Sequence, residues 1–215
     1  MAEPAGLMYF SSSKELGRVP LTLVCGEEVF VRRLFVNRLL AQLTPHFFTL
    51  LAQSPQVDGA FQGQAVRWFD GAMGAVDEDC LCCGLRSGLG DALRSVFLGA
   101  LSTRAERLER VLIDANAVRA EQLGQTLKHT PFLGQRYVHQ STIWVVDPTA
   151  FDVRRLDARV GGCVVVHRPD GWKHEAFESA FESIESAVTA VSSELATVRL
   201  LSETLVADMH LIVGK

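Results

Sequence analysis

Short apolar runs alternate along this chain with longer stretches in which apolar residues recur every three or four positions. The first run, Val19–Cys25, is closed by Gly26 and contains no regular polar alternation, which predicts a strand buried on both faces of a sheet. The next stretch, 29–43, has apolar side chains at the spacing of a helix with one buried stripe. The chain is therefore predicted to open as strand, turn and helix.

The same two patterns continue to the end of the chain. They predict strands over 47–52, 65–69, 111–114, 141–147, 163–167 and 198–201, and helices over 89–101, 119–128, 173–195 and 206–213. Strands alternating with helices at this spacing form right-handed crossovers, so the predicted fold is α/β, with a mostly parallel sheet covered by helices on both faces. The 215 residues suffice for one such domain over 19–215, preceded by an N-terminal extension over 1–18.

Charge and hydropathy narrow the classes of partner. Lys and Arg total 21 and Asp and Glu total 25, a net charge of −4 that argues against nucleic acid or an anionic membrane as the main partner. No apolar run reaches the roughly 18 residues of a spanning helix. The first residues have neither the basic region nor the apolar region of a secretory signal. We therefore expect a cytoplasmic protein without nucleic-acid or membrane partners.

Three of the five cysteines, Cys80, Cys82 and Cys83, lie within four residues, whereas Cys25 and Cys163 stand alone in apolar runs. An odd, clustered set does not form a disulfide framework, and the isolated pair is interpreted as core packing. The cluster offers up to three thiolates, which suit Zn²⁺, Cu(I) or another thiophilic ion.

The acidic residues over 77–79 add a possible oxygen ligand to this cluster. They also disfavour the thiolate form, which argues against a cysteine nucleophile. A redox-sensitive surface cluster without a function stays open as the alternative to metal binding.

Four stretches, in this order, resemble the nucleotide-binding domain of the CobW branch of the CobW/HypB/UreG family of P-loop metallochaperone GTPases. They are LTLVCGEEVFVRRLFVNRLLAQL; VDEDCLCCGLRSGLGDAL, with Cys-x-Cys-Cys; RVLIDANAV with STIWVVDPTAFD; and GCVVVHRPDGW. The resemblance reaches Gly214 and leaves out the family's C-terminal domain. It implies a P-loop NTPase-like three-layer sandwich, but a likeness of fold does not transfer activity.

The phosphate-binding motif that this resemblance implies has lost its chemistry. A P-loop uses glycines so that backbone N–H groups surround the phosphate, a Lys to reach its oxygens, and a Ser or Thr to hold Mg²⁺. Only Gly26 is kept, because Val31, Arg32 and Arg33 replace the second Gly, the Lys and the hydroxyl residue. A β-branched Val31 is expected to be strained in such a loop, and arginine is no conservative substitute for lysine. Glu27 and Glu28 would also repel phosphate.

The base-reading and acidic positions have changed as well. His167, Arg168 and Pro169 replace most of the Asn-Lys-x-Asp motif and only Asp170 remains, while Asp114 keeps an acid at the end of a strand. Both acids have plain alternatives, as a turn residue and a strand terminator. The resemblance implies a vestigial nucleotide site made of Gly26, Arg32, Asp114 and Asp170.

The sequence thus predicts a catalytically degenerate CobW-like protein with no catalytic residues. It is expected to bind Zn²⁺ or another thiophilic metal through Cys80, Cys82 and Cys83 and to act in metal handling, without GTP and Mg²⁺. Its other partners would be a client metalloprotein or an active GTPase relative. Two alternatives remain open: a regulatory subunit that docks on an active GTPase or a metalloenzyme, and an active GTP-binding metallochaperone with an atypical loop.

Overall fold

The computed structural model describes residues 17–42, 48–54, 61, 66–69, 88–103, 108–116, 119–151, 162–169, 171–191 and 197–200. These residues form seven strands and five helices, in the order β1 (Val19–Cys25), α1 (Val29–Gln42), β2 (Phe48–Gln53), β3 (Val66–Phe69), α2 (Gly88–Thr103), β4 (Arg110–Ala115), α3 (Arg119–His129), α4 (Pro131–Arg136), β5 (Tyr137–Val146), β6 (Gly162–Val166), α5 (His174–Val191) and β7 (Thr197–Leu200).

The described strands form one sheet in the order β3-β2-β4-β1-β5-β6-β7, and every neighbouring pair is parallel. β1 lies at the centre between β4 and β5, and this position explains its uninterrupted apolar sequence, because a central parallel strand is covered on both faces. Parallel strands place their carboxyl ends at one edge, so the segments that follow β1, β2 and β4 lie close together.

Alternating residues of the strands build two cores, one on each face of the sheet. Val24 packs on the face covered by α1, together with Phe35 and Leu39 of that helix. Leu23 packs on the opposite face, in the core to which α2, α3, α4 and α5 contribute. The prediction of an α/β fold with helices on both faces is confirmed. Cys25 and Cys163 are buried, one in each core, as expected for packing residues.

Most element boundaries differ from the sequence prediction by one or two residues, and the differences at α4 and β5 are larger. The pattern does not predict α4, a single short helix with Pro131 in its first turn, where the absent N–H leaves no intrahelical bond unmade. β5 begins at Tyr137 rather than at 141, because the ring of Tyr137 is buried and its hydroxyl donates to Leu93 O at 2.9 Å. α5 is described as far as Val191, and the remainder of the helix predicted to 195 lies outside the described residues, as does the helix predicted over 206–213. Among the described helices, none has the length and apolar character to cross a membrane.

Candidate functional site

The connection between β1 and α1 consists of three residues, 26–28, because α1 already begins at Val29. The backbone N–H of Arg32 donates to Glu28 O at 3.0 Å, which is a helical hydrogen bond. In a P-loop the corresponding N–H groups belong to a longer glycine-rich loop and point at a phosphate. Three residues leave no loop long enough to surround one.

The backbone of Val31 also differs from that of a P-loop. The P-loop spacing predicts strain at this position, and that prediction is wrong, because Val31 lies inside α1 with a helical backbone. Its side chain is buried in the core on the α1 face. The described glycines with positive φ, Gly17 and Gly171, lie outside this connection.

Gly26 has a packing role that does not depend on phosphate. A Cβ placed at this position would lie 2.2 Å from the carbonyl oxygen of Val145 on β5, far inside any allowed contact. The backbone of the connection therefore passes so close to β5 that only glycine fits.

Arg32 turns inward from α1 and closes the space above the end of β4. Its Nε donates to one carboxylate oxygen of Asp114, and its Nη1 donates to Gly26 O at 2.6 Å. The residues Arg32 and Asp114 are 2% and 0% exposed, so this ion pair is shielded from water. The side chain at the lysine position is thus bound to the chain itself.

Arg33 reaches the same carboxylate from the next position on α1. Its Nε donates to the second oxygen of Asp114 at 3.3 Å, and its Nη2 donates to Gln53 O, at the end of β2, at 3.0 Å. The guanidinium carbon lies 5.2 Å from the ring centroid of Trp68 and 5.6 Å from that of Phe61. Cations within about 6 Å of an aromatic ring are attracted to its face. Arg33 is therefore held by the two rings and a carbonyl oxygen as well as by the acid.

The three charged groups form a buried cluster, which we call the Arg-Asp-Arg cluster: Arg32, Arg33 and Asp114. Both carboxylate oxygens accept hydrogen bonds from guanidinium groups, and the cluster carries a formal charge of +1. Asp114 occupies the strand end at which the resemblance expects an acid that serves Mg²⁺. Here arginine side chains satisfy that acid, so the residues present do not fit a nucleotide with its metal ion.

Sequence reasoning identifies Gly26, Arg32 and Asp114, and the structure brings these three together. It misses the contribution of Arg33 and its aromatic neighbours. The sequence does contain a signal for the role of Arg33, because two consecutive arginines lie in α1 among residues that are mostly apolar. Charged residues inside a buried stripe need a buried partner.

The segment that replaces the base-reading motif follows β6. The N–H of His167 donates to Val146 O at 3.0 Å, which extends the contact with β5 by one residue. The guanidinium of Arg168 donates to Trp172 O at 3.1 Å and lies 5.7 Å from the ring centroid of Phe177. Asp170 lies outside the described residues.

The predicted metal ligands Cys80, Cys82 and Cys83 also lie outside the described residues. Within the part of the chain that the structure describes, no three His, Cys, Asp or Glu side chains are grouped closely enough to hold a metal ion.

No protein-family model and no curated protein sequence matches the chain. Among solved structures, the chain is similar to the Zn(II)-bound YjiA GTPase from E. coli, with a TM-score of 0.50 and 13% sequence identity. The likeness covers 80% of this chain and 54% of that one, so the chain spans about half the length of that protein. At this identity the likeness shows the fold alone, an α/β fold with a parallel sheet.

Proposed function

We propose that this chain is a catalytically inactive protein with a GTPase-like fold, in which the nucleotide site is closed by internal ion pairs, and that it handles a transition metal through Cys80, Cys82 and Cys83. The proposal that the chain is catalytically inactive rests on the Arg-Asp-Arg cluster. A nucleotide with Mg²⁺ would need the acid at the end of β4 and a cation at the lysine position, and each is already bound to the other.

The short connection between β1 and α1 supports the same conclusion independently. The backbone N–H of Arg32, at the position where a P-loop N–H contacts phosphate, makes a helical hydrogen bond instead. Loss of the lysine alone would weaken nucleotide binding, whereas loss of the loop removes the cradle itself.

The proposal that the chain handles a metal rests on the Cys-x-Cys-Cys motif and on the place of this motif in the sequence between α1 and β4. Thiolates at this spacing suit Zn²⁺ or Cu(I). The similar YjiA GTPase is itself Zn(II)-bound, which agrees with the choice of Zn²⁺ as the first metal to test.

The first test is a titration of the reduced full chain with Zn²⁺ against a chromogenic chelator. The triple variant Cys80→Ser/Cys82→Ser/Cys83→Ser should lose high-affinity uptake. The matched control Cys163→Ala also removes one thiol, but from the core, and should keep the uptake of the unmodified chain. Equal uptake by all three proteins would contradict the metal site.

The second test asks whether lost residues or lost loop geometry prevent nucleotide binding. The variant Val31→Gly/Arg32→Lys/Arg33→Ser restores the letters of the P-loop motif, and circular dichroism checks that it remains folded. We expect neither this variant nor the unmodified chain to bind a fluorescent GTP analogue in the presence of Mg²⁺, because the connection stays three residues long.

A rise in melting temperature of the unmodified chain with GTP and Mg²⁺ would contradict the proposal. A ligand that binds only the folded state stabilises it by RT ln(1 + [L]/Kd), about 2.7 kcal/mol at a hundredfold excess over Kd. Micromolar binding by the restored variant alone would show that the side chains, and not the loop, are the missing element.

A further inference from the structure

The outer side of α2 exposes two large apolar side chains on a water-facing stripe. Leu98 and Leu101 are 51% and 64% exposed, whereas Leu93 and Val96 of the same helix are buried in the core. Arg94 lies one turn before Leu98, so that Arg94, Leu98 and Leu101 follow each other at spacings of four and three along one side of the helix. An amphipathic helix normally fills such a stripe with polar residues, so this one is unusual.

One flank of the stripe is formed by arginines that lie over aromatic rings. The guanidinium carbon of Arg94 is 5.5 Å from the ring centroid of Phe132 on α4, and that of Arg136 is 5.3 Å from that of Phe97 on α2. The two rings meet edge to face at 5.6 Å. This arrangement holds both cations in fixed positions beside the leucines, which reduces the conformational entropy that they lose on binding.

The opposite flank is formed by Arg67 of the edge strand β3. Its Nη1 donates to Ser95 Oγ at 3.3 Å, and its Nη2 lies 3.2 Å from the point where a Cβ on Gly99 would be. The side chain therefore lies across α2, on the other side from Arg136. A larger residue than Gly99 would push it away.

We call this surface the α2 face: Arg67, Arg94, Leu98, Leu101 and Arg136. No carboxylate of the described residues pairs with any of its three arginines, although the chain as a whole carries a net charge of −4. Exposed apolar side chains flanked by cations are complementary to a surface on which apolar side chains are flanked by carboxylates. Arginine and aromatic residues are also the types enriched in protein interfaces.

We propose that the α2 face is a docking site for an acidic amphipathic helix of another protein. The apolar stripe of that helix would cover Leu98 and Leu101, and carboxylates on its two sides would pair with the flanking guanidinium groups. This proposal does not depend on the metal or nucleotide state of the chain, so it stands or falls separately from the function proposed above.

A second copy of this chain fits the surface less well. Among the helices that the structure describes, the acidic one is α5, with exposed glutamates at Glu175, Glu182 and Glu185. The large apolar side chains of α5, such as Phe177 and Ile184, are buried against the sheet. α5 would therefore offer carboxylates but no apolar stripe for the leucines.

The test uses a fluorescein-labelled helical peptide of about 18 residues, long enough to form a helix, with leucines at helical spacing and glutamates on both sides. Fluorescence anisotropy measures its binding to the full chain at about 0.05 M and about 0.3 M salt. The variants Arg94→Glu/Arg136→Glu and Leu98→Ser/Leu101→Ser should each weaken binding about tenfold or more. The first should also remove most of the salt dependence.

The matched control is Arg168→Glu, which reverses another exposed arginine that lies over an aromatic ring, outside the α2 face. It should change binding less than about twofold, as expected for a charge outside the interface. A second peptide with lysine in place of every glutamate should not bind. All substituted residues are exposed, and urea unfolding checks that each variant keeps its fold.

Four results would overturn the proposal. The first is equal peptide binding by the unmodified chain and both double variants, and the second is equal binding of the lysine peptide and the glutamate peptide. The third is a concentration-dependent dimer in sedimentation that Leu98→Ser/Leu101→Ser abolishes. The fourth is cosedimentation of the chain with phosphatidylserine vesicles that Arg94→Glu/Arg136→Glu abolishes. The third result would assign the α2 face to a second copy, and the fourth to a membrane surface.

Discussion

Replacing Asp114 by asparagine removes the only negative charge of the Arg-Asp-Arg cluster while keeping the size of the side chain. Asp114 is fully buried, and Arg32 and Arg33 are 2% and 4% exposed, so the two cations that remain cannot be screened by water. Breaking a buried ion pair by removing one partner costs about 3–5 kcal/mol, because the other charge stays buried without compensation. Here two such charges remain, which places the expected loss at the upper end of that range.

A comparison with Arg32→Met separates charge from packing. That variant also removes a member of the cluster, but it leaves Asp114 paired with Arg33 at 3.3 Å, so the remaining charges cancel. Its expected cost is about 1–3 kcal/mol, from the lost hydrogen bonds to Asp114 and to Gly26 O. The loss for Asp114→Asn should therefore exceed that for Arg32→Met. The surface control Glu182→Gln removes one exposed carboxylate on α5 and should stay within about 0.5 kcal/mol of the unmodified chain.

Urea unfolding followed by far-ultraviolet circular dichroism at pH 7 measures the free energy of unfolding of each variant. A domain of this kind has about 5–15 kcal/mol in total, so Asp114→Asn should unfold at clearly lower urea. Replacing all three residues, as Arg32→Met/Arg33→Met/Asp114→Asn, should restore part of the loss, since no buried charge then remains. The reasoning is refuted if Asp114→Asn is no more destabilising than Arg32→Met, or if the triple variant is the least stable of the set.

Two further variants test the packing beside this cluster and on the opposite face of the sheet. Gly26→Ala places a Cβ against Val145 O and should lower the free energy of unfolding in urea by about 1–3 kcal/mol. The control Gly124→Ala, in α3 with nothing within 4 Å of the added Cβ, should raise it by about 0.5–1 kcal/mol. Equal effects of the two substitutions would contradict the close approach of β5 to Gly26. Burial raises the pKa of Tyr137, although the positive charge of Arg67 opposes the rise. Above pH 10 the unfolded state loses the Tyr137 proton and the folded state keeps it, so the free energy of unfolding falls with rising pH. Tyr137→Phe has no such proton. Between pH 8 and pH 11 the unmodified chain should therefore lose about 1.4 kcal/mol more of its free energy of unfolding than Tyr137→Phe loses. A difference that does not change between the two pH values would show that Tyr137 titrates normally.

The order of strands and helices can be predicted from the sequence because each element has a distinct apolar pattern. β1 and β6 are short apolar runs, and α5 repeats apolar residues at three and four, so neither type can be mistaken for the other. The pattern does not specify where β5 begins. Its first residues are mixed, and burial of the Tyr137 ring under α2 decides the boundary, which is a tertiary contact.

The candidate site can be predicted in part, and the errors have physical causes. Gly26, Arg32 and Asp114 stand at positions that a motif marks, so the sequence is enough to find them. The spacing of the same motif predicts a loop at Val31, although 28–33 contains no residue that favours a loop over a helix. The apolar spacing over 29–43 decides the backbone conformation instead, and α1 begins two residues before Val31.

The arginine substitutions look like lost functions in the sequence, but the structure gives them a structural role. A nucleotide-binding protein must keep its lysine and its acid available until the ligand arrives. In this chain Arg32 and Arg33 are already paired with Asp114 and are held by carbonyl oxygens and aromatic rings. A nucleotide entering here would first have to separate buried ion pairs, at about 3–5 kcal/mol, which lowers its affinity by a factor of about 10²–10⁴. Even a site that otherwise bound GTP at micromolar Kd would then bind it at about 0.1–10 mM, so the closed cluster by itself opposes a GTPase cycle.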